Sequence, residues 1–167
     1  MRNILTIILL LIEITDAFSQ NVIVGKYHNS FSCSLTINSD STYYYFYHFD
    51  LSSSWSAGKW RNSNDTIYFV NIPIYDTVYY VDTFNQNIIK CEKKLLLSAD
   101  NKPEVITSNE AIFLEIASLG QNRFPNPQKL YFKNGKLFEI KNNGQIVRKR
   151  IKGFYSHKKY PTYYERE

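Results

Sequence analysis

Residues able to perform chemistry are scattered along this chain and form no recognised catalytic pattern. His48 and Asp50 stand two residues apart, so on a strand they would share one face. Either His48 or His157 could be combined with one of many serines into a hydrolytic triad, but no G-x-S-x-G nucleophile elbow supports that combination. A single His within an aromatic strand is more often structural. The sequence therefore predicts a protein that is not an enzyme.

The remaining chemical groups lack the spacing that a cofactor or metal site requires. The six glycines include no G-x-G-x-x-G and no G-K-[ST] phosphate loop. Two cysteines and three histidines show no zinc-ligand spacing. Paired carboxylates for glycoside hydrolysis would have to come from aspartates at turns or strand ends, where Asp bonds the backbone: Asp40, Asp50, Asp65, Asp76 and Asp82. We expect no cofactor and no metal.

Aromatic side chains are the strongest remaining signal, with 14 Tyr, 11 Phe and 2 Trp in 167 residues. The run Y-Y-Y-F-Y-H-F places seven rings in succession. On a strand, one face of this run holds Tyr43, Tyr45, Tyr47 and Phe49. A three-residue turn with Ser41 left-handed would set Ile37 opposite Tyr43 and direct this face inward. A two-residue turn would reverse the faces.

The aromatic content allows several interpretations. Exposed rings could stack on sugars, inward rings could line a cavity for a hydrophobic ligand, and outward rings could form the girdles of an outer-membrane barrel. Aromatic rings can also fill the core of a small β-protein while their hydroxyls reach water. The strongly polar strands argue against a membrane girdle. If a ligand occupies the fold, we expect it to contact Tyr45, Tyr47, Phe49 and Trp60.

A hydrophobic period of two dominates the chain and predicts antiparallel strands. The segment F-S-C-S-L-T-I, residues 31–37, alternates between apolar and polar positions throughout. Towards the C-terminus, Asn134-Gly135 and Asn143-Gly144 suit hairpin turns that need positive φ. The C-terminal part therefore reads as a series of short basic hairpins.

One segment departs from this period. Ser108 or Asn109 can cap a helix, and Gly120 stands where a C-terminal glycine belongs, which predicts one short helix near 109–119. About eight to ten strands with one helix and no βαβ alternation indicate a mainly β fold. We predict an antiparallel up-and-down β-barrel.

Two glycine–aromatic steps carry a family resemblance. Gly25-Lys26-Tyr27 is followed by C-S-L-T-I-N-S-D-S-T-Y-Y-Y, and Gly58-Lys59-Trp60 is followed by N-D-T-I-Y-F. Over about 45 residues this resembles small exported lipocalin-like (calycin-type) bacterial barrels, in which a G-x-W/Y strand, an L-x-I-x-x-D-x-T-F/Y hairpin and a G-x-W strand follow one another. The resemblance implies an up-and-down barrel with a central cavity, a small apolar ligand and no catalytic machinery.

The first 19 residues predict a signal peptide. Arg2 supplies a positive start, residues 4–12 are apolar, and Ala17-Phe18-Ser19 fits the small-x-small cleavage pattern. The apolar run is shorter than the roughly 20 residues that a membrane-spanning helix needs. An uncleaved anchor or a buried helix is the alternative. We expect export to the periplasm or beyond after cleavage near Ser19, leaving residues 20–167 as one barrel domain with basic C-terminal hairpins.

Export affects the interpretation of the two cysteines. In an oxidising compartment Cys33 and Cys91 can form one disulfide. Alternatively, both are buried thiols that act as small hydrophobic residues. Cys33 is in step with Leu35 and Ile37, which favours an inward position.

Positive charge is concentrated in the last quarter of the chain. Residues 121–167 hold 12 Lys and Arg against 3 Asp and Glu, whereas residues 21–120 hold 7 against 10. Such a surface could meet nucleic acid, anionic lipid or acidic polysaccharide, or be the solvated face of strands. Export argues against nucleic acid. The sequence favours a non-catalytic secreted or periplasmic protein that binds a small apolar or amphipathic ligand. The alternative is a cell-envelope interaction module whose basic surface contacts acidic polysaccharide or lipid.

Overall fold

The computed structural model describes residues 22–50, 52–82, 85, 87–95, 102–116, 120–153 and 155–167. The predicted signal peptide and its cleavage point near Ser19 lie outside these residues and stay predictions. The described elements are β1 (Gly25–His28), β2 (Cys33–Ile37), β3 (Thr42–Phe49), β4 (Ser52–Ser63), β5 (Thr66–Asn71), β6 (Tyr75–Val81), β7 (Ile88–Leu95), β8 (Val105–Thr107), α1 (Ser108–Ile116), β9 (Lys129–Lys133), β10 (Lys136–Glu139), β11 (Arg150–Lys152), β12 (Lys159–Pro161) and β13 (Tyr164–Arg166).

Eight of these strands close into an antiparallel barrel. Around the barrel the order is β1, β2, β3, β4, β5, β9, β10 and β13, after which β13 pairs with β1. Each barrel strand lies beside the barrel strands that precede and follow it in the chain. The predicted up-and-down barrel is therefore confirmed. The predicted helix near 109–119 is confirmed as α1, and residues 117–119 lie outside the described residues.

The turn between β2 and β3 determines which aromatic side chains enter the barrel. Ile37 pairs with Tyr43, the backbone N–H of Asn38 bonds the Thr42 carbonyl at 2.9 Å, and Ser41 has a φ of 63°. This is the three-residue turn with a left-handed Ser41, as predicted. The odd-numbered face of β3 accordingly points inward, and Tyr43 is buried.

Buried side chains from every barrel strand pack the interior. Four tyrosines and a tryptophan are among them, together with aliphatic residues that fill the space between the rings. The buried cluster consists of Ile23, Tyr27, Leu35, Ile37, Tyr43, Tyr45, Trp60, Ile67, Phe69, Leu130, Leu137 and Tyr164. An eight-stranded barrel is just wide enough for side chains to fill it or for one small ligand to occupy it. In this protein these twelve buried side chains occupy the interior.

The two ends of the barrel differ. At one end the strands are joined by tight turns, with left-handed residues at Ser41, Asn64, Asp65 and Asn134. The other end, which we call the mouth, carries the loop from β1 to β2, the turn from β3 to β4 and the two long connections that follow β5 and β10. Elements beyond the barrel therefore gather at the mouth.

The connection from β5 to β9 contains an insert made of β6, β7, β8 and α1. Its strands form a sheet in the order β7-β6-β8, with β6 and β8 parallel. α1 contributes Ala111 to a small core with Val78 and Ile106. The described part of the chain contains no helix with the length and apolar character needed to cross a membrane.

A short segment returning from the insert pairs with the barrel wall. The backbone N–H of Trp55 in β4 bonds the Gly120 carbonyl at 3.2 Å, and the N–H of Asn122 bonds the Trp55 carbonyl at 2.7 Å. The Gln121 amide donates to the Ile72 carbonyl at 2.8 Å and accepts from the Ile74 N–H at 2.9 Å. The Trp55 bonds satisfy polar groups of β4 beyond the point where β5 ends, and the Gln121 bonds tie the same segment to the connection after β5. The insert is therefore anchored to the barrel.

Gly58 of β4 is required by close backbone packing, and its substitution gives a stability prediction. A Cβ atom at this position would lie 2.0 Å from the Val70 carbonyl oxygen and 2.9 Å from Asn71 Cα. We expect Gly58→Ala to lower the free energy of unfolding by about 1–3 kcal/mol, because neither backbone atom can move without disturbing the β4–β5 ladder. Urea unfolding measures the change. Gly144→Ala is a comparison that reports backbone strain alone, because an added Cβ there meets nothing within 4 Å but the residue has a φ of 81°.

Candidate functional site

The four residues predicted to contact a ligand divide between the core and the mouth. Tyr45 and Trp60 are each 4% exposed and belong to the packed interior. Tyr47 is half-buried and packs against that interior. It lies two residues after Tyr45 in β3 and is therefore closer to the mouth. Phe49 ends β3 at the mouth and is half-buried. Of the four, Phe49 therefore reaches an open groove, while Tyr45 and Trp60 serve packing.

Trp60 fixes the turn at the opposite end of the barrel. Its indole N–H donates to the Asn38 carbonyl at 2.9 Å, and its backbone N–H bonds the Ser41 carbonyl at 2.9 Å. A buried indole needs such an acceptor. The glycine–aromatic step at Gly58–Trp60 thus has a structural role in joining β4 to the β2–β3 turn.

Both cysteines are free thiols, so the disulfide considered from the sequence is absent from this structure. Cys33 is half-buried at the mouth side of the interior, whereas Cys91 is exposed on β7 of the insert. The Tyr45 hydroxyl donates to Cys33 Sγ at 3.3 Å, and the thiol donates to the Phe31 carbonyl at 3.6 Å. Burial raises the pKa of Cys33, which keeps the thiol protonated for that contact. Cys33 therefore connects a core tyrosine to the loop at the mouth.

A groove of about 260 Å³ opens beside this loop at the mouth. Four aromatic residues from three separate parts of the chain form its walls: Phe31, Phe49, Tyr155 and Tyr160. The rings of Phe49 and Tyr155 are stacked, with centroids 6.5 Å apart and planes inclined by 18°. Ser30, Ser32 and Ser156 add hydroxyl groups. We call this the mouth groove.

The hairpin of β11 and β12 supplies one wall of the mouth groove. Ile151 pairs with Tyr160 across the two strands, and the Gly153 N–H bonds the Lys158 carbonyl at 3.1 Å. A Cβ at Gly153 would lie 2.9 Å from the Tyr160 ring, so glycine permits this close approach. The Lys158 ammonium lies 5.6 Å from the centroid of the same ring. The mouth groove thus combines an aromatic lining with a nearby cation.

The mouth groove can hold a small amphipathic molecule. An aromatic lining favours an aliphatic chain or a ring, and the serine hydroxyls and Lys158 can bind a polar or anionic end. Tyr155 is 92% exposed, which is unusual for a ring of this size that packs on a second ring. Within the described residues, no three His, Cys, Asp or Glu side chains are grouped to hold a metal ion.

A second and larger groove, of about 710 Å³, lies where the insert meets the barrel. It is lined by Pro73, Tyr75, Lys93, Lys94, Leu95, Glu115, Gln121, Arg123 and Phe124. The Lys94 ammonium is paired with Glu115 at 2.8 Å, while Phe124 is 74% exposed. Its two exposed rings, Tyr75 and Phe124, are stacked on no other ring among the described residues, so this groove offers a weaker aromatic platform than the mouth groove.

Sequence reasoning found one wall of the mouth groove and missed the others. Phe49 was predicted as a contact for a ligand inside the barrel, from the alternation of the aromatic run and the glycine–aromatic motifs. Tyr155 and Tyr160 were missed, although the segment G-F-Y-S-H-K-K-Y places a glycine and two tyrosines within eight residues. Comparison with family models, curated proteins and solved structures finds no match for this chain.

Proposed function

We propose that this protein is a non-catalytic, exported binding protein whose small apolar or amphipathic ligand occupies the mouth groove. One observation carries the proposal: rings from the β1–β2 loop, the end of β3 and the β11–β12 hairpin converge on one open groove. The apolar part of the ligand contacts Phe31, Phe49, Tyr155 and Tyr160. Its polar end faces Lys158 and the serine hydroxyls. The proposed export is inferred from the signal peptide predicted in the first 19 residues.

The proposal moves the ligand from the barrel interior to the mouth. The resemblance to lipocalin-like barrels implies a central ligand, but Tyr45 and Trp60 are buried in the interior and hydrogen-bonded there. The mouth is the end that an open barrel of this kind uses for access. A ligand at the mouth keeps the predicted contact with Phe49 and needs no rearrangement of the core.

An amphipathic fluorescent probe tests the proposal. We expect 8-anilinonaphthalene-1-sulfonate, which joins aromatic rings to an anion, to bind the purified mature chain and to gain fluorescence. Tyr155→Ala should weaken binding by about fivefold or more, since a central aromatic contact is worth at least about 1 kcal/mol. Because Tyr155 is exposed, far-UV circular dichroism should be unchanged. Phe49→Ala should weaken binding to a similar degree.

Phe124→Ala is the matched control, because it removes another strongly exposed ring, this one from the larger groove. Binding that Phe124→Ala weakens and Tyr155→Ala leaves intact would place the ligand at the insert and contradict the mouth groove. Binding that only Trp60→Phe weakens would instead indicate an occupied barrel interior.

A further inference from the structure

The β11–β12 hairpin separates its side chains into two faces of different chemistry. Across the pair, Arg150 is opposite Pro161, and Lys152 is opposite Lys159. Directly paired residues share a face, and successive residues alternate. Arg150, Lys152 and Lys159 therefore form one face, which we call the cationic face. The intervening pair of Ile151 and Tyr160 forms the other face, and Tyr160 lines the mouth groove.

The cationic face lacks acidic partners of its own. The ion pairs among the described residues are Lys90–Glu92, Lys94–Glu115 and Lys136–Glu165, and none involves this hairpin. Lys152 and Lys159 are directly opposite each other, an arrangement of like charges that destabilises a strand pair. Because the repulsion between Lys152 and Lys159 weakens the hairpin, an external anion bound to both ammonium groups would stabilise it.

A groove beside the cationic face holds a fixed aromatic ring. It has a volume of about 280 Å³ and is lined by Phe138, Arg148, Lys149, Arg150, Pro161 and Tyr163. Phe138 packs on Tyr163 with centroids 5.3 Å apart. Lys136 donates to the Tyr163 hydroxyl at 3.2 Å and lies 4.3 Å from the ring centroid. The Tyr163 ring is therefore held in place in the groove that Arg148 and Arg150 also line.

We propose that the cationic face and this groove bind an acidic polysaccharide of uronate type. A guanidinium group donates two parallel hydrogen bonds to a carboxylate in a planar, bidentate geometry. A fixed aromatic ring offers a surface on which a sugar ring can stack. A run of cations on one face matches the repeated charge of a polyuronate. Membrane binding fits less well, because Phe138 and Tyr163 are half-buried in the groove and do not project as membrane-inserting anchors. The binding is independent of whether the mouth groove is occupied.

Charge reversal at Lys152 tests the proposal with two readouts that move in opposite directions. Lys152→Glu places a carboxylate opposite Lys159, so the hairpin gains an opposite-charge pair and the thermal midpoint should be unchanged or higher. Affinity for polygalacturonate should nevertheless fall by about fivefold to tenfold, because one attraction is replaced by a repulsion. Binding of the unmodified chain should weaken between 50 and 300 mM salt, and neutral dextran should not bind.

Lys59→Glu is the matched control. It makes the same change in net charge on β4, which three strands separate from β13 in either direction around the barrel. Polygalacturonate binding should be unchanged by this variant. Equal weakening by both variants would overturn the proposal in favour of a net-charge effect. Preferential binding to phosphatidylglycerol vesicles over polygalacturonate, or to a nucleic acid, would also overturn it.

Discussion

Replacing Trp60 by alanine is expected to lower the free energy of unfolding by about 3–5 kcal/mol. The indole is 4% exposed inside the barrel and donates to the Asn38 carbonyl, so the substitution leaves both a cavity and an unpaired carbonyl. Urea unfolding followed by far-UV circular dichroism measures the change. A loss of this size would correspond to a large part of the stability of a typical domain.

Trp60→Phe is the control that separates packing from hydrogen bonding. It keeps most of the ring volume and loses the bond to Asn38, so we expect a cost of about 1–2 kcal/mol. Probe binding at the mouth groove should survive Trp60→Phe. If Trp60→Ala left stability within 1 kcal/mol of the unmodified protein, the interior would not be packed around this residue.

Raising the pH above 10 is expected to destabilise the barrel. Burial raises the pKa of four interior tyrosines above the ordinary value of about 10: Tyr27, Tyr43, Tyr45 and Tyr164. These hydroxyls stay protonated in the folded barrel, whereas in the unfolded chain they ionise near pH 10. Their contribution to stability is therefore intact below pH 10 and is lost as the pH rises. Tyr43 and Tyr45, whose pKa values are strongly raised, each account for up to about 1.4 kcal/mol per pH unit, or about 1 kcal/mol each between pH 10 and 11.

The urea midpoint measured at half-unit steps from pH 8 to pH 11 checks this expectation. Tyr43→Phe removes one of these two groups with a strongly raised pKa and should make the decline shallower. Its hydroxyl bonds the Asn71 side chain, so a modest cost at pH 7 accompanies the change. A midpoint that stays constant to pH 11 would mean that the buried hydroxyls ionise in the folded protein.

The barrel could be predicted because its signals are local. Alternation identifies strands, and the N-S-D-S turn has residues that bond their own backbone: Asp40 accepts from the Thr42 N–H at 2.9 Å. That turn fixes the register and hence the inward face of the aromatic run. The residues of the turn and the alternation of the strand predict the same register. The prediction that Tyr43 and Tyr45 point inward is therefore confirmed.

The insert could not be predicted because strand pairing is not local. β6 alternates as clearly as β5, with Asp76 and Val78 buried between partly exposed neighbours, yet it pairs with β7 and β8 outside the barrel. β5 instead pairs with β9, where Thr66 faces Tyr131. Nothing in the alternation of a single strand identifies a partner 65 residues away.

The mouth groove was only partly predictable for a related reason. Phe49 belongs to a recognisable aromatic run, whereas Tyr155 and Tyr160 reach the groove because the β11–β12 hairpin folds back beside the β1–β2 loop. That placement depends on the close packing of Gly153 on Tyr160. Whether an eight-stranded barrel has a central cavity likewise depends on the combined volume of its inward side chains. Neither the hydrophobic period of the strands nor the residues of the turns predicts that volume.

The pairing of β1 with β13 determines when during synthesis the barrel can close. Tyr27, in the first strand, faces Arg166, in the last, so the final seam joins residues at opposite ends of the described chain. Synthesis proceeds from the N-terminus, so β1 and β2 can pair early. The sheet keeps an unpaired edge until residues 164–166 have been synthesised and can pair with β10 and β1. Barrel closure is therefore the last step in forming the native sheet.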